Sequence, residues 1–265
     1  MNNLFHLVDI PHSEHKNKTA PVKVLVPGWA TDCRLFKPLQ IEPPFIECTV
    51  NDPFVFSEEL TSYLTDYLKT HPSATFSFFG FSMGALLISQ LIKHLSSKKI
   101  QLELLNIIFC GMRYGYSSSE IDTLKAGLHL NTEKQLKQFY RSCFYSPQDY
   151  KLFFKDLGKS YLSSFEPTHL FSGLQFLEKY TFSDKNTLEK LISQISPNQI
   201  NVHLFQGSFD LIAPLNELEN NLFADAENET LTERFQLFKL STGHIPFYNE
   251  ASCNQLSKSF PDYSN

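Results

Sequence analysis

The feature of this sequence that most restricts its fold is a short run, FSFFGFSMGALLIS, in which one serine lies between two glycines. The chain has only ten glycines, and two of them, Gly80 and Gly84, stand two residues before and two residues after Ser82. The aromatic residues before the serine favour a buried strand, and the apolar residues after it favour a buried helix. Because a strand and a helix crowd a sharp turn between them, the turn needs small neighbours. The G-x-S-x-G pattern therefore predicts a turn that presents the Ser82 hydroxyl above a sheet.

Strand-like and helix-like segments alternate on both sides of this turn. Ser57 is a candidate N-cap for an amphipathic helix that ends near His71. Short β-branched or aromatic runs bounded by turn residues predict strands. Strands and helices in this order predict an α/β fold with a mostly parallel sheet flanked by helices. The predicted strands lie within VKVLVPGW, TFSFF, LELLNIIFCG, INVHLFQGSFD and RFQLFKLSTGH, and a last helix is expected at residues 250–260.

The alternation stops in the middle of the chain. Residues 113–197 have helical periodicity and no convincing strand. A helical block inserted between two stretches of α/β pattern indicates a cap over a sheet. We therefore predict an α/β core formed by residues 1–112 and 198–265, with an inserted helical cap formed by residues 113–197. The apolar faces of two cap helices are predicted to be Leu136, Phe139, Tyr140, Cys143 and Phe144, and Tyr150, Phe153, Phe154, Leu157 and Tyr161.

Composition and charge exclude several classes of protein. The 265 residues are 42% hydrophobic and 19% charged, which is typical of a globular chain. A net charge of −5 gives no overall bias toward nucleic acid or anionic membranes, and no stretch approaches the ~18 apolar residues of a membrane span. We expect no nucleic-acid partner, no membrane span and, because the start lacks a secretory-signal pattern, a cytoplasmic location. The scattered cysteines fit a reduced compartment: Cys33, Cys48, Cys110, Cys143 and Cys253.

Two residues late in the chain are candidates for the partners of Ser82. A nucleophilic serine needs a base, and the base needs an acid that orients it. His244 follows the last predicted strand, and Asp210 follows the strand before it, so both are expected on loops at strand ends. The order serine, acid, histidine is the chain order found in the fold that is built around this kind of turn. Asp225 and Glu227 are the alternatives for the acid, in a more polar segment.

The negative charge that forms on an ester carbonyl also needs hydrogen-bond donors. One donor is expected to be the backbone N–H of Met83, and the second that of Trp29 in the loop VPGWATD, where Gly28 lets the backbone come close. The alternative for Trp29 is a plain core aromatic residue. This chemistry needs no metal and no organic cofactor. His12 and His15 lie in a polar segment and are interpreted as solvated residues rather than metal ligands.

The segments LVPGWATDCRLF, GFSMGALL, GSFDLIAP and GHIPF together resemble the α/β-hydrolase superfamily over nearly the whole chain. Within it, the sequence is most similar to the pimeloyl-[acyl-carrier-protein] methyl ester carboxylesterases of biotin synthesis, which carry a four-helix cap. The resemblance implies a serine carboxylesterase that hydrolyses that methyl ester. One departure is Pro27, which stands where the family usually has histidine, so any hydrogen bond made by that histidine is absent here.

The predicted cap carries a local excess of positive charge. Residues 131–162 contain six cationic side chains against three carboxylates, whereas the whole chain has a net charge of −5. Such a patch fits an acidic partner, and acyl carrier proteins are acidic. The alternative is an ordinary solvated helix face. The six candidate docking residues are Lys134, Lys137, Arg141, Lys151, Lys155 and Lys159.

The same machinery leaves other functions open. A general short-chain carboxylesterase or thioesterase uses an identical set of residues, because a fold and a triad do not define a substrate. A related lyase of menaquinone synthesis shares the constellation. A third alternative is a hydrolase-fold binding protein that has lost activity, although Ser82, Asp210 and His244 are all present.

Overall fold

In the part of the chain that the structure describes, seven strands form one central sheet. The computed structural model describes residues 4–8, 21–196, 198, 200–222 and 234–260. Its strands are β1 Phe5–Val8, β2 Val22–Val26, β3 Phe45–Cys48, β4 Thr75–Phe81, β5 Glu103–Cys110, β6 Asn201–Gly207 and β7 Phe235–Leu240. Their order in the sheet is β1-β3-β2-β4-β5-β6-β7. β1 pairs antiparallel with β3, and every other pair is parallel.

Helices connect the strands and cover the sheet. A 3-10 helix spans Cys33–Leu39, and a π-helical turn spans Phe154–Gly158. The α-helices of the described residues are α1 Phe56–Thr70, α2 Met83–Lys98, α3 Ser118–Ser142, α4 Pro147–Phe153, α5 Lys159–Tyr161, α6 Pro167–Lys179, α7 Lys185–Ile195, α8 Leu215–Leu222 and α9 Glu250–Ser257.

The predicted mostly parallel sheet with flanking helices is confirmed. Each of the five predicted strand segments coincides with a strand of the sheet, although β4 runs two residues beyond TFSFF, and a helix follows Ser82 directly. The short strands β1 and β3 were not predicted. The prediction of Ser57 as an N-cap was wrong: α1 begins one residue earlier, at Phe56, and its N-cap, Val55, has no capping side chain.

Alternation along β4 explains how both faces of the sheet are covered. Phe76 and Phe79 are an odd number of positions apart, so their side chains point to opposite faces. The ring of Phe76 lies 6.1 Å from that of Tyr67 on α1. The ring of Phe79 lies 4.9 Å from Phe36 in the 3-10 helix and 5.2 Å from Phe260 beyond α9. All of β4 after Thr75 is buried, as expected for a central parallel strand with helices on both faces.

The inserted segment is helical throughout the elements described between β5 and β6. Its longest helix, α3, is interrupted at Asn131, where φ is −165° and ψ is 99°. The Asn131 side chain accepts a hydrogen bond from the Lys134 amide at 2.9 Å, so it starts the second half of α3 as an N-cap does. α3 packs against α6.

The last helix of the predicted cap segment lies against the core. α7 packs on α2, and the amide of Leu102, just before β5, donates to the Ile195 carbonyl at 2.8 Å. The ring of Phe182, before α7, lies 5.2 Å from Phe109 of β5. The boundary between cap and core at residue 197 stays a prediction.

Two sequence expectations concern features outside the sheet. Among the described residues, no helix combines the length and the apolar character that crossing a bilayer needs. The same residues contain no group of three or more His, Cys, Asp or Glu side chains that could hold a metal ion. His12 and His15 lie outside the described residues, as do Asp225 and Glu227.

Candidate active site

Ser82 occupies the turn between β4 and α2 in a strained backbone conformation. Its φ of 53° and ψ of −117° are unusual for a residue with a side chain. The Ser82 amide donates to the Cys110 carbonyl of β5 at 2.8 Å, which ties the turn to the neighbouring strand. The side chain is half-buried. The turn therefore presents the hydroxyl at the carboxyl end of a central strand, as the sequence predicts.

The two glycines of the motif make this turn possible. A Cβ on Gly80 would lie 2.7 Å from the backbone nitrogen of Ala85, and one on Gly84 would lie 2.7 Å from the Pro27 carbonyl oxygen. Real Cβ atoms do not approach backbone that closely. Gly80 and Gly84 therefore let β4, α2 and the end of β2 pack at distances that no other residue permits.

His244 bridges the other two predicted residues. Its Nε2 lies 2.9 Å from the Ser82 Oγ, and its Nδ1 lies 2.8 Å from Asp210 Oδ2. His244 and Asp210 are 2% and 5% exposed, so the pair is shielded from water. A carboxylate accepts only, and so the contact places the proton on Nδ1 and leaves the Nε2 lone pair facing the serine. The structure thus brings Ser82, His244 and Asp210 into one chain of hydrogen bonds.

The Asp210 carboxylate is fully occupied by donors. Its Oδ1 accepts from the amides of Ile212 and Ala213, both at 2.8 Å. Its Oδ2 accepts from the Gln206 side-chain amide at 3.0 Å as well as from His244. Gln206 is fully buried on β6, and the sequence analysis did not select it. These contacts fix both oxygens, so the orientation of the imidazole is fixed as well.

The two candidate oxyanion donors lie on either side of the serine. Met83 is the first residue of α2, so its N–H has no acceptor within the helix. Trp29 lies in the loop after β2, next to Gly28, where a Cβ would lie 3.0 Å from the Ser82 Cβ. The structure therefore places the loop of Trp29 directly beside the serine. Trp29 is 4% exposed, so its side chain is also part of the core.

Tyr116 is a residue of the site that the sequence analysis missed. The Ser82 side chain is among the groups that influence the pKa of the Tyr116 phenol, so the two side chains are close. Burial raises the pKa of Tyr116, although the nearby Arg113 opposes that shift. The phenol therefore stays protonated and is a donor at neutral pH.

Arg113 holds Tyr116 in place. The Arg113 guanidinium lies 4.7 Å from the centre of the Tyr116 ring, at cation–π distance. The same guanidinium donates to Glu217 on α8 at 2.9 Å and to Glu120 on α3 at 2.8 Å. Arg113 thereby joins the start of α3, the α8 segment and the Tyr116 phenol in one network.

All six candidate docking residues on the cap are exposed. The Lys137 ammonium lies 5.6 Å from the ring of Phe154, and the Arg141 guanidinium lies 5.4 Å from the ring of Tyr150. The second half of α3 therefore lies beside α4 and the π-helical turn, and cations from both segments face solvent on neighbouring helices. In the described part of the chain, none of the six forms an ion pair with a carboxylate.

An open cavity of about 980 Å³ adjoins the site. Its walls include Asp210, the end of α3 at Arg141, and the exposed side chain of Leu211. The stacked rings of Tyr145 and Phe209, 4.0 Å apart, form another wall. Ser82 is not part of the lining. This cavity therefore borders the acid and not the nucleophile.

The cysteines are unsuited to nucleophilic chemistry. Burial raises the pKa of all five thiols, and Asp210 adds to the shift at Cys110 and Cys143. Thiolate, not thiol, is the reactive form. We expect iodoacetamide at pH 8 to leave ester hydrolysis unchanged, and a chromogenic disulfide to react with the folded protein far more slowly than with the protein in urea. Rapid inactivation of the native protein by iodoacetamide would contradict this expectation.

Comparison with known proteins supports the fold rather than a particular activity. Neither a protein-family model nor a curated protein sequence matches the chain. Solved structures do match over nearly its full length. An esterase from Exiguobacterium antarcticum has a TM-score of 0.64 and 14% identity, covering 96% of this chain and 92% of that chain. A bromoperoxidase from Bacillus anthracis has a TM-score of 0.66 and 14% identity, covering 97% and 94%.

An enol-lactonase from Burkholderia xenovorans LB400 is similar to the same extent. Its TM-score is 0.63 at 15% identity, with coverage of 96% of this chain and 93% of that chain. At such low identity the likeness establishes architecture. The sheet order, the helices on both faces and these neighbours together assign the α/β-hydrolase fold to the chain.

Proposed function

We propose that this chain with the α/β-hydrolase fold is a serine carboxylesterase. The observation that carries the proposal is the position of His244, which contacts Ser82 through Nε2 and Asp210 through Nδ1. A base that touches the hydroxyl on one side and a buried carboxylate on the other has the geometry of a nucleophilic triad. The structures that resemble this chain include an esterase and an enol-lactonase, and ester hydrolysis by this chain is consistent with that likeness.

Acylation follows from the positions of the atoms. The Ser82 Oγ attacks the ester carbonyl carbon while its proton passes to His244 Nε2. Asp210, which accepts the hydrogen bond from the His244 Nδ1–H, stabilises the imidazolium that forms. The carbonyl oxygen becomes an oxyanion and accepts from the N–H groups of Met83 and Trp29. The intermediate then collapses, the C–O bond to the alcohol breaks, and the alcohol leaves with the proton from Nε2.

Deacylation uses the same groups with water as the nucleophile. Water gives a proton to His244 Nε2 and attacks the acyl carbon on Ser82. The oxyanion again accepts from the two backbone donors. When the intermediate collapses, the Ser82 oxygen leaves with the proton from the imidazolium and the acid product is released.

Two measurements on the wild-type protein test the proposal. We expect turnover of p-nitrophenyl acetate or butyrate, and covalent labelling of Ser82 by a fluorophosphonate, located by peptide mass spectrometry. Neither needs knowledge of the natural substrate. Absence of both turnover and labelling in folded protein would favour the inactive binding protein. Faster hydrolysis of acyl thioesters than of matched oxygen esters would favour the thioesterase.

The substrate that we propose is an acyl ester held by an acidic carrier protein, and specifically pimeloyl-[acyl-carrier-protein] methyl ester. The resemblance of the sequence motifs supports this choice. So does the group of six exposed cations on α3, α4, the π-helical turn and α5. In the described part of the chain they have no carboxylate partner, and they are therefore available to an acidic surface. A genetic test is growth without biotin of a strain that lacks its own pimeloyl ester esterase and carries this gene. Failure to restore growth, with good esterase activity in vitro, would leave the general carboxylesterase.

Reversing two of these charges tests the carrier contact directly. In Lys151→Glu/Lys155→Glu, we expect KM for the carrier-bound ester to rise about tenfold at low salt, because attraction becomes repulsion. The ratio to wild type should shrink as salt rises. KM for p-nitrophenyl butyrate should not change.

A matched control places the same charge change elsewhere. Lys98 and Lys99 are exposed at the C-terminal end of α2 and are not among the six candidate docking residues. Lys98→Glu/Lys99→Glu should leave KM for the carrier-bound ester unchanged. An equal rise in KM for both pairs would mean that net charge matters and that the cap is not a docking surface.

A further inference from the structure

Three cap helices contact one short loop of the core. Residues 28–32, which we call the oxyanion loop, follow β2 and contain Trp29. The Tyr140 hydroxyl of α3 donates to the Ala30 carbonyl at 2.6 Å. The Tyr161 hydroxyl of α5 donates to Asp32 Oδ1 at 2.9 Å. On the other side, the Trp29 indole N–H donates to the Leu170 carbonyl of α6 at 2.9 Å.

The backbone of the oxyanion loop is held in a conformation that needs support. Ala30 has a φ of 54°, in the left-handed region that disfavours residues with a Cβ. A strained residue of this kind persists only when its surroundings hold it. Within the loop, the amide and hydroxyl of Thr31 both donate to the Gly28 carbonyl, at 3.3 and 3.0 Å. From outside, the Ala30 carbonyl receives the Tyr140 hydroxyl.

Tyr140 is well suited to act as that support. The residue is fully buried, and its ring packs against the rings of Phe153 and Tyr161 at 5.4 and 6.0 Å. A ring held in this way presents its hydroxyl in one position. The Trp29 ring is fixed similarly, 4.8 Å from Phe139 on the same helix. α3 therefore contacts both Trp29 and the residue that follows it.

We propose that Tyr140 is a positioning residue for ester hydrolysis. The Tyr140 hydroxyl donates to the Ala30 carbonyl and so holds the oxyanion loop in place. In that position the backbone N–H of Trp29, not its indole N–H, points at the oxyanion. The inference rests on the proposed function, and it adds that the cap sets the geometry of the reaction centre in addition to covering it. Misplacing an oxyanion donor raises the free energy of the transition state and hardly changes the free energy of substrate binding. The expected result is a lower kcat at a nearly unchanged KM.

Tyr140→Phe tests the proposal because it removes one oxygen and keeps the ring. Losing an oxyanion donor outright costs about 100- to 1000-fold, so loosening one is expected to lower kcat for p-nitrophenyl butyrate by about tenfold. KM should stay within about twofold of wild type. The rate of fluorophosphonate labelling and the affinity for an alkyl trifluoromethyl ketone, which places an oxyanion in the same position, should fall by the same factor as kcat.

Tyr248→Phe is the matched control. The Tyr248 hydroxyl, which comes from the core, donates to Asp156 of the cap at 2.7 Å, so this variant also removes a tyrosine hydrogen bond between core and cap. It does not touch the oxyanion loop. We expect wild-type kcat and wild-type affinity for the ketone. If Tyr140→Phe does not fold, Tyr161→Phe carries the same test, with a smaller loss expected because Asp32 lies further from Trp29 along the chain.

The outcomes separate this inference from the proposed function. A wild-type protein that neither turns over esters nor reacts with the fluorophosphonate overturns the esterase proposal itself. An active wild type, with Tyr140→Phe indistinguishable from Tyr248→Phe, overturns only the role of Tyr140. A rise in KM at unchanged kcat also overturns it, because that result assigns Tyr140 to substrate binding.

Discussion

Ser82→Ala is expected to lower kcat for p-nitrophenyl butyrate by about 10⁶-fold and to abolish fluorophosphonate labelling. The alanine removes the only atom that forms the acyl bond, whereas His244 and Asp210 keep their 2.8 Å contact. Activity should fall to the level that the oxyanion donors alone provide for attack by water. The measurement is hydrolysis by a freshly purified variant, with active sites of the wild type counted by labelling.

A double variant distinguishes a triad from three independent contributions. Residues that act as a unit are not additive, so Ser82→Ala/His244→Ala should be about as slow as Ser82→Ala alone. Ser142→Ala, which removes an exposed hydroxyl on α3, is the control and should retain full activity. A further large loss in the double variant would show that His244 acts independently of Ser82.

The parts of the site that sequence reasoning could predict are those with a local signal. Gly80 and Gly84 both lie within two residues of Ser82, so the turn is visible as a motif. Asp210 and His244 follow recognisable strands, and a parallel sheet brings all strand ends of this kind to one edge. The long-range convergence of three residues is therefore predictable from the order of strands.

The contacts that single side chains of the inserted helical segment make with the site have no local sequence signal, so they could not be predicted. Tyr116 lies near the serine from the segment between β5 and α3, and Tyr140 contacts the oxyanion loop from α3; nothing adjacent in the sequence marks either of them among eleven tyrosines. Tyr140 was predicted only as part of an apolar face. Gln206 left a weak signal: it is a polar residue in a buried strand, four positions before Asp210, and a buried amide needs partners.

The strands β1 and β3 were missed for a different reason. Each is four residues long, Phe5–Val8 and Phe45–Cys48, and so short a segment cannot show a two-residue period clearly. β1 pairs only with β3, at the edge of the sheet. The two strands extend the sheet away from β7 and do not contribute to the site, so the functional prediction did not depend on them.

Asp210→Asn is expected to lower kcat by about 10⁴-fold while leaving the fold intact. The reason lies in the donors around the carboxylate. The amides of Ile212 and Ala213 both point at Oδ1, so the asparagine oxygen must take that position. The asparagine NH₂ then takes the position of Oδ2, facing His244 Nδ1. Two donors cannot face each other, so the imidazole adopts the other tautomer, with its proton on Nε2 and no lone pair for the Ser82 proton.

The opposite orientation of the asparagine side chain is disfavoured, so we expect one amide orientation and one imidazole tautomer in this variant. Turning the NH₂ toward Oδ1 would leave two backbone donors without that acceptor, whereas the first orientation leaves only the Gln206 side-chain amide without it, and each such loss costs about 1–3 kcal/mol. We therefore expect a stable protein with a wild-type KM and a very low kcat, measured with p-nitrophenyl butyrate. Asp225→Asn and Glu227→Gln, the alternatives for the acid, serve as controls and should retain full activity. If instead Asp210→Asn keeps more than about a tenth of the wild-type rate and one of these controls does not, then the acid that orients His244 during turnover is not Asp210.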